Sequence, residues 1–298
     1  MSSYLESTAR ERVQRLFDAD SFKEFLPPSA RVISPHLGQL DAPVAFDDGV
    51  VIGRAQLAGE PVFAAAQEGG FMGGAVGEVH GAKLVGLLRR AVVERIGAVV
   101  LLLETGGVRL HEANAGLIAV SEVMRAVLDA RAAGVAVITL AGGANGVFGG
   151  MGIVARCTNA IVMSEEGRLA MSGPEVIETA SGVEEFDSKD RALVWRTTGG
   201  KHRYLLGDCQ AIVADSVEAF RQAAIDAVAA SRAQPAALSL HELEQEQALL
   251  GERIERFGAM TEPLDIWTAL GVEHASAIPM LEAAEFIAAA RRHRLGGI

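Results

Sequence analysis

Short hydrophobic runs alternate with glycines and helical patterns through the middle of the chain. The runs AVVLLLE (98–104), VAVITLA (135–141) and AIVMSE (160–165) contain almost no alternating polar residues. Such runs are typical of strands that are buried on both faces of a parallel sheet. Two earlier runs, VVIGRAQL (50–57) and PVFAAAQ (61–67), are joined by a short turn. The pattern predicts an α/β protein, and this strand pair favours a ββα spiral over a doubly wound sheet.

Helical periodicity predicts the elements that surround these strands. Helices are expected over residues 78–96, 112–133, 151–157 and 216–232, and further strands over RLAMS (168–172) and CQAIVAD (209–215). Asp215 is expected to cap the last of these helices. An amphipathic helix is predicted over residues 7–25, with Ser7 as its cap.

The elements group into three segments. Residues 1–47 form an N-terminal helix and a Pro-containing connector, and residues 48–232 form the central α/β domain. The sequence RAQPAA (232–237) is predicted to be a linker, followed by a helical C-terminal extension over 233–298. The charged faces of this extension are typical of solvated helices.

The charge and composition of the chain argue against several classes of function. The net charge of −11 argues against nucleic acid as the main partner, because phosphate binding requires the opposite sign. No apolar run reaches the ~18–20 residues that span a bilayer. The N-terminus lacks the apolar core of a signal peptide, so a cytoplasmic protein is expected. The only two cysteines, Cys157 and Cys209, are too far apart for a zinc ribbon or a disulfide framework.

The common catalytic signatures are missing. The chain has no G-x-S-x-G elbow and no HExxH metal motif, and TTGGKH (197–202) lacks the final Ser or Thr of a P-loop. GMGIVA (150–155) matches the residue pattern G-x-G-x-x-A of a dinucleotide-binding motif. The required structural context is missing, because a loop and not a strand is predicted to precede it.

What remains is glycine, in three clusters at residues 68–77, 106–107 and 142–150. The last two lie where a strand gives way to a helix. Taken one at a time, such clusters are more often tight turns. Two junctions that face each other would also present unpaired backbone N–H groups, which can hold a negatively charged oxygen. Both interpretations stay open from the residues alone.

Four motifs in order resemble the β-type subunits of the acyl-CoA carboxyltransferase family. They are GGFMGGAVGEVHGAKLVGLLRRAV (69–92), TGGVRLHEA (105–113), GGANGVFGGMGIVA (142–155) and MSGPEVIETA (171–180). The resemblance covers roughly residues 48–232 and implies a crotonase-like ββα spiral with a helical C-terminal extension. The chain lacks the four-cysteine zinc ribbon of bacterial acetyl-CoA carboxylase β subunits. Within the family it looks most similar to the β subunits of biotin-independent malonate decarboxylases.

This resemblance implies decarboxylation of a malonyl thioester to the acetyl thioester and CO2. The thioester would be carried on the dephospho-CoA-type prosthetic group of an acyl carrier protein, or on CoA, with neither metal nor biotin required. It also implies a homologous γ subunit, the acyl carrier protein and an acyl-carrier-protein transferase subunit as partners. The alternative function is that of a carboxyltransferase β-type subunit of a biotin-dependent acyl-CoA carboxylase. A non-catalytic scaffold that completes its partner's site is a further alternative, which the intact glycine motifs disfavour.

Candidate site residues follow from the glycines and from the resemblance. The backbone N–H groups expected to stabilise an enolate oxygen are those of Gly106, Gly107, Gly149 and Gly150. His111 is a candidate proton donor, although an ordinary helix-start role is the simpler interpretation. The candidate substrate and cofactor contacts are Gly73, Gly74, Lys83, Arg89 and Arg109. For Arg109, an ion pair that pins its own loop is the commoner role.

Overall fold

The computed structural model describes residues 2–233 and 239–296. Most of the predicted linker, residues 234–237, therefore lies outside the described residues. Within them, one seven-stranded sheet runs in chain order: β1 (Lys23–Phe25), β2 (Val50–Leu57), β3 (Glu60–Gln67), β4 (Ala98–Leu102), β5 (Ala136–Ala141), β6 (Ala160–Ser164) and β7 (Ala211–Val213). The first three strands pair antiparallel, and β3 through β7 pair parallel. The expected mixed α/β fold with a parallel sheet is confirmed.

Helices cover both faces of the sheet. They are α1 (Ala9–Leu16), α2 (Glu78–Val93), α3 (Asn114–Ala132), α4 (Gly150–Arg156), α5 (Pro174–Ser181), α6 (Arg191–Thr198), α7 (Gly200–Leu205) and α8 (Val217–Ala233). Side chains alternate along β4, so that Val99 and Leu101 pack towards α2 and α3, whereas Val100 and Leu102 pack towards α1 and α8. Burial on both faces explains why the strands are apolar without interruption.

The C-terminal extension is helical, as predicted. It contains α9 (Leu240–Phe257), α10 (Pro263–Ala269) and α11 (Ala283–Ala290), with a 3-10 segment at Ala275–Met280. Trp267 and Phe286 anchor it to the core that contains α2 and α3. Arg253 of α9 also donates to Asp208 Oδ1 at 2.9 Å.

Helix α1 is shorter than its sequence pattern suggested. It begins after Thr8, whose side chain accepts the N–H of Glu11 in a capping box, so Ser7 is not the cap. The helix ends at Leu16, and β1 follows because its residues pair with β2. At α8, the Ser216 hydroxyl accepts the N–H of Ala219. Asp215, which was predicted to do so, instead accepts the N–H of Leu5.

The predicted strand RLAMS (168–172) is wrong as a strand. Two of its residues form only single bridges: Arg168 pairs antiparallel with Gly199, and Leu169 pairs parallel with Val147, which bridges in turn to Thr105. These single-residue bridges form a second row beside the main sheet and stack the segments that follow β4, β5 and β6. Helices α6 and α7 were not predicted, because their short glycine-separated sequence shows no clear apolar stripe.

Candidate active site

The glycine turns after β4 and β5 lie against each other. The N–H of Thr105 donates to Gly146 O at 2.8 Å, and the N–H of Phe148 donates to Thr105 O at 2.9 Å. A Cβ added at Gly107 would lie 3.6 Å from the Cα of Gly149. The two strand-to-helix junctions therefore meet at the carboxyl edge of the sheet, close enough for one small group to contact both.

Most of the glycine N–H groups singled out from the sequence are already bonded within the protein. The N–H of Gly106 donates to Gly73 O at 2.8 Å, and that of Gly149 donates to Met171 O at 2.8 Å. The N–H of Gly107 donates to Thr105 Oγ1 at 3.0 Å. These three groups are not free to hold a substrate oxygen in this structure, which corrects the expectation for Gly106, Gly107 and Gly149.

Two neighbouring N–H groups are free instead. Among the described residues, the N–H groups of Gly150 and Val108 make no hydrogen bond within the protein. A Cβ added at Gly150 would lie 3.7 Å from Val108 Cγ2, so the two residues are adjacent. Gly150 therefore remains a candidate donor, and Val108 is a second candidate that the sequence did not single out.

A cavity of about 450 Å³ opens beside Val108. One wall is the glycine-rich loop, the second is the segment that follows Gly107, and the third is the N-terminal connector. The lining residues are Pro43, Met72, Ala75, Val108, Arg109, Leu110 and His111. His111 is exposed in a 3-10 turn at Leu110–Glu112, so its side chain is accessible from the cavity. The candidate proton donor therefore lies at the wall of this cavity.

Arg109 is fully buried beneath this wall. Its Nη1 lies 2.8 Å from Asp48 Oδ1 and 3.1 Å from Glu112 Oε1, and all three side chains are 0% exposed. Its Nη2 donates to Ala75 O at 3.0 Å. The guanidinium therefore pins the glycine-rich loop to the turn after β4, which corrects the assignment of Arg109 as a cofactor contact.

The pKa values of the two carboxyl groups that pair with Arg109 are shifted in opposite directions. Burial raises the pKa of Asp48 above its usual range, although the nearby Arg109 opposes this. Burial also acts to raise the pKa of Glu112, but hydrogen bonds from the N–H of Glu78 and from Arg109 outweigh it and hold that pKa below its usual range. Removal of Arg109 would leave both carboxylates buried without their counter-charge.

The cations expected to meet phosphates differ in accessibility. Lys83 is buried, and its Nζ donates to the carbonyl oxygens of Asp47 and Val50, each at 2.9 Å. Burial lowers the pKa of Lys83. Lys83 therefore cannot reach a phosphate, which corrects that expectation. Arg89 is exposed on α2 and lies 3.5 Å from Glu122 of α3.

Gly73 and Gly74 shape the loop that faces the cavity. Both residues have positive φ, and the carbonyl oxygen of Gly73 accepts the N–H of Gly106. A Cβ at Gly74 would clash with the carbonyl oxygen of Glu104. Close packing of the backbone thus explains the glycine at 74, whereas at 73 the positive φ alone explains it.

Thr105 and Asp48 are site residues that the sequence reasoning missed. Thr105 directly precedes the two glycines, and a threonine in that position is a recognisable turn signal. Asp48 carries no such signal, because it meets Arg109 only through the tertiary fold.

Six large apolar side chains are exposed on the segments that follow β4, β5 and β6. The residues are Leu110, Leu117, Ile118, Ile153, Met171 and Val176. We call this set the apolar rim. One of its members, Leu110, lines the cavity. Exposed apolar surface beside a cavity is typical of a contact with another protein.

A second cavity, of about 410 Å³, lies near the end of β6 and against the C-terminal extension. Trp195, Trp267 and Lys201 are among its lining residues. The glycine turns do not line it, so the free N–H groups single out the cavity beside Val108 as the candidate active site.

Two further properties of the described residues concern membrane-spanning helices and metal sites. None of the helices in the described parts of the chain is both long and apolar enough to span a membrane. Within residues 2–233 and 239–296, no three His, Cys, Asp or Glu side chains are grouped so that they could hold a metal ion.

Known proteins resemble this chain over most of its length. The model of the carboxyl transferase domain matches residues 6–223. The malonyl-S-ACP:biotin-protein carboxyltransferase MADC of Malonomonas rubra is 41% identical, over 97% of this chain and 96% of its own. A chain of the Pseudomonas malonate decarboxylase hetero-tetramer, solved in complex with malonate, is 39% identical with a TM-score of 0.77, covering 83% of this chain and 91% of that one. The acetyl-coenzyme A carboxylase carboxyl transferase subunit beta of Fusobacterium nucleatum is 31% identical over 59% of each.

Proposed function

Because this chain belongs to the carboxyl transferase domain family, we propose that it decarboxylates a malonyl thioester to the acetyl thioester and CO2. The observation that carries the proposal is the pair of free N–H groups at Val108, which lines the cavity, and at the adjacent Gly150. Malonyl thioester processing is also supported by the name of the Malonomonas rubra relative and by the likeness to a Pseudomonas malonate decarboxylase.

The proposed chemistry moves charge onto one oxygen atom. When the bond between the carboxylate carbon and the methylene carbon breaks, CO2 leaves and the electron pair forms an enolate whose negative charge lies on the thioester oxygen. N–H groups aimed at that oxygen bind the transition state more tightly than the ground state, because the charge is absent beforehand. A proton then returns to the methylene carbon and completes the acetyl group. His111 is the proposed donor, since its side chain lines the same cavity.

The fold proposal is a crotonase-like ββα spiral. It is supported by the strand order from β3 to β7 and by the second row of bridges at Thr105, Val147 and Leu169. Each turn of the chain adds one strand to the sheet and one segment to this row, which brings successive glycine turns together.

The proposed substrate carrier is the dephospho-CoA-type group of an acyl carrier protein, or CoA. The loop that contains Gly73 and Gly74 forms a wall of the cavity through its neighbours Met72 and Ala75. This loop and the exposed Arg89 are the proposed contacts of the carrier's long arm. The proposal requires no biotin and no metal for CO2 release.

A test measures the product of malonyl-CoA and of malonyl-loaded carrier protein. The chain, co-expressed with a homologous γ subunit, is expected to release CO2 and form the acetyl thioester at the same rate with and without avidin. The chain alone and the γ subunit alone serve as controls. Complete inhibition by avidin would contradict the proposal.

The second candidate function is transfer of the carboxyl group to a biotin-bearing protein. It is favoured by the name of the Malonomonas rubra relative, which is a biotin-protein carboxyltransferase. In the same assay, this function requires carboxylated biotin to accumulate when a biotin protein is added. A subunit of a biotin-dependent acyl-CoA carboxylase would instead carboxylate acetyl-CoA from carboxybiotin.

The proposed partners are a homologous γ subunit, an acyl carrier protein and an acyl-carrier-protein transferase subunit. Heteromeric assembly is supported by a solved Pseudomonas malonate decarboxylase MdcD–MdcE hetero-dimer that contains a chain 37% identical to this one. The γ subunit is proposed to cover the apolar rim, because its side chains are exposed on the segments that follow β4, β5 and β6 and Leu110 lines the cavity.

Ile118→Glu is expected to weaken binding of the γ subunit at least tenfold, because a charge would be buried without a partner in an apolar contact. Ile118 is 61% exposed in the rim. The matched control is Val93→Glu, since Val93 is 82% exposed at the far end of α2. Sedimentation of each variant co-expressed with the γ subunit measures the affinity of the two subunits. Equal affinity of the two variants would place the interface elsewhere.

A further inference from the structure

All the polar groups of Thr105 bond to the two glycine turns. Its main-chain N–H and C=O bond to Gly146 and Phe148 of the turn after β5. Its hydroxyl Oγ1 accepts the N–H of Gly107 at 3.0 Å and donates to Gly107 O at 3.2 Å. The residue is fully buried, so water does not compete for these bonds.

These bonds determine the direction of the free donor at Val108. The peptide between Gly107 and Val108 is planar and trans, so its C=O and its N–H point in opposite directions. Two donors hold that C=O, namely the Val76 N–H at 2.9 Å and the Thr105 hydroxyl. With the oxygen held on one side, the N–H of Val108 is directed to the other side.

The hydroxyl also controls the preceding peptide. Gly107 has a φ of +126°, in a region that favours glycine. The bond from its N–H to Oγ1 restrains the peptide between Gly106 and Gly107. One hydroxyl group therefore bonds to both peptides that flank Gly107, whereas the Val76 N–H bonds to one of them.

We propose that Thr105 is a positioning residue, whose hydroxyl aims the Val108 N–H at the enolate oxygen. This inference rests on the proposed function and adds a side chain to a site otherwise built from backbone. Thr105 does not touch the substrate. It acts through the Gly107–Val108 peptide, which its hydroxyl keeps from rotating.

The test compares Thr105→Val, which keeps the shape and loses the hydroxyl, with Thr105→Ser, which keeps the hydroxyl. In the complex with the γ subunit, Thr105→Val is expected to lower kcat for malonyl-CoA about 10–10²-fold while KM changes less than threefold, since the donor matters most in the transition state. Thr105→Ser should recover kcat to within about threefold of the parent.

The matched control is Thr139→Val. Thr139 is equally buried, on β5, and its hydroxyl lies 3.3 Å from Thr158 Oγ1, away from the glycine turns. Thr139→Val should change kcat less than threefold even if it lowers the melting temperature. This separates a positioning effect from general loss of a buried hydroxyl.

A folded Thr105→Val variant with the parent kcat, or equal loss of kcat in Thr105→Val and Thr105→Ser, overturns the inference. If Thr105→Val does not fold, Thr105→Ala also removes the hydroxyl, and parental kcat in that folded variant overturns the inference as well. Hydrogen exchange of the peptide over residues 103–110 is a readout that needs no turnover. Faster exchange than in the parent is expected in Thr105→Val only, and exchange in that variant equal to the parent's overturns the inference. If the parent itself does not turn over malonyl-CoA, the proposed function is refuted instead.

Discussion

Val108→Pro is expected to lower kcat for CO2 release by about 10²–10³, which corresponds to about 2.7–4 kcal/mol of transition-state stabilisation. Proline removes the backbone N–H outright. The bridge between Val76 and Val108 uses the carbonyl of Gly107 and the N–H of Arg109, so the Val108 N–H takes no part in it. The substitution therefore removes the proposed donor without breaking a hydrogen bond of the fold. Steady-state kinetics of the complex with malonyl-CoA measures the effect.

The control for this prediction is Val108→Ala, which trims the side chain and retains the N–H. It should stay within a fewfold of the parent in kcat. Melting temperature and γ-subunit binding must match between the two variants. A folded, partner-bound Val108→Pro variant with kcat within about threefold of the parent (~0.65 kcal/mol) would remove Val108 from the proposed site.

Arg109→Met is expected to reduce the free energy of unfolding by about 3–5 kcal/mol, because it leaves buried carboxylates without their counter-charge. The carboxylates are those of Asp48 and Glu112, which pair with the guanidinium at 2.8 and 3.1 Å. Chemical denaturation of the isolated chain measures the loss. The matched control is Arg89→Met, since Arg89 is 57% exposed and its replacement should stay within about 0.5 kcal/mol of the parent.

The loss in Arg109→Met should depend on pH. Burial raises the pKa of Asp48, and removal of Arg109 raises it further. A carboxyl group whose pKa is higher in the folded state binds more protons there, so stability falls as pH rises from the unfolded pKa through the folded one. The deficit relative to the parent should therefore be smaller at pH 5 than at pH 8. An equal deficit at both values would show that Asp48 is not the group left uncompensated.

Only part of the candidate site could be predicted from sequence. The junctions at Gly106–Gly107 and Gly149–Gly150 were predicted as neighbours, and they are neighbours because the carboxyl ends of adjacent parallel strands share one edge. Which N–H groups stay free was not predictable. The acceptors of Gly106 and Gly149, which are Gly73 O and Met171 O, come from distant segments of the chain, and only the acceptor of Gly107, Thr105 Oγ1, is local.

Lys83 and Arg109 show the same limit for charged residues. Long cations beside glycine motifs suggest contacts with phosphates, since such side chains are usually exposed. Here Lys83 bonds to carbonyl oxygens near Asp48, and Arg109 bonds to Asp48 itself. Lys83 holds the segment over residues 47–50 to α2, and Arg109 holds it to the glycine-rich loop. No local pattern marks this segment as their partner.

The sequence by itself determined the strands from β2 to β7, the glycine turns and the family, because periodicity, turn chemistry and ordered motifs are local properties of the chain. The tertiary structure alone decided which backbone donors are free, which cations are buried, and that Thr105 lies between the two turns. The physical reason is that a hydrogen-bond donor is either satisfied or available according to what packs against it, and those partners come from elsewhere in the fold.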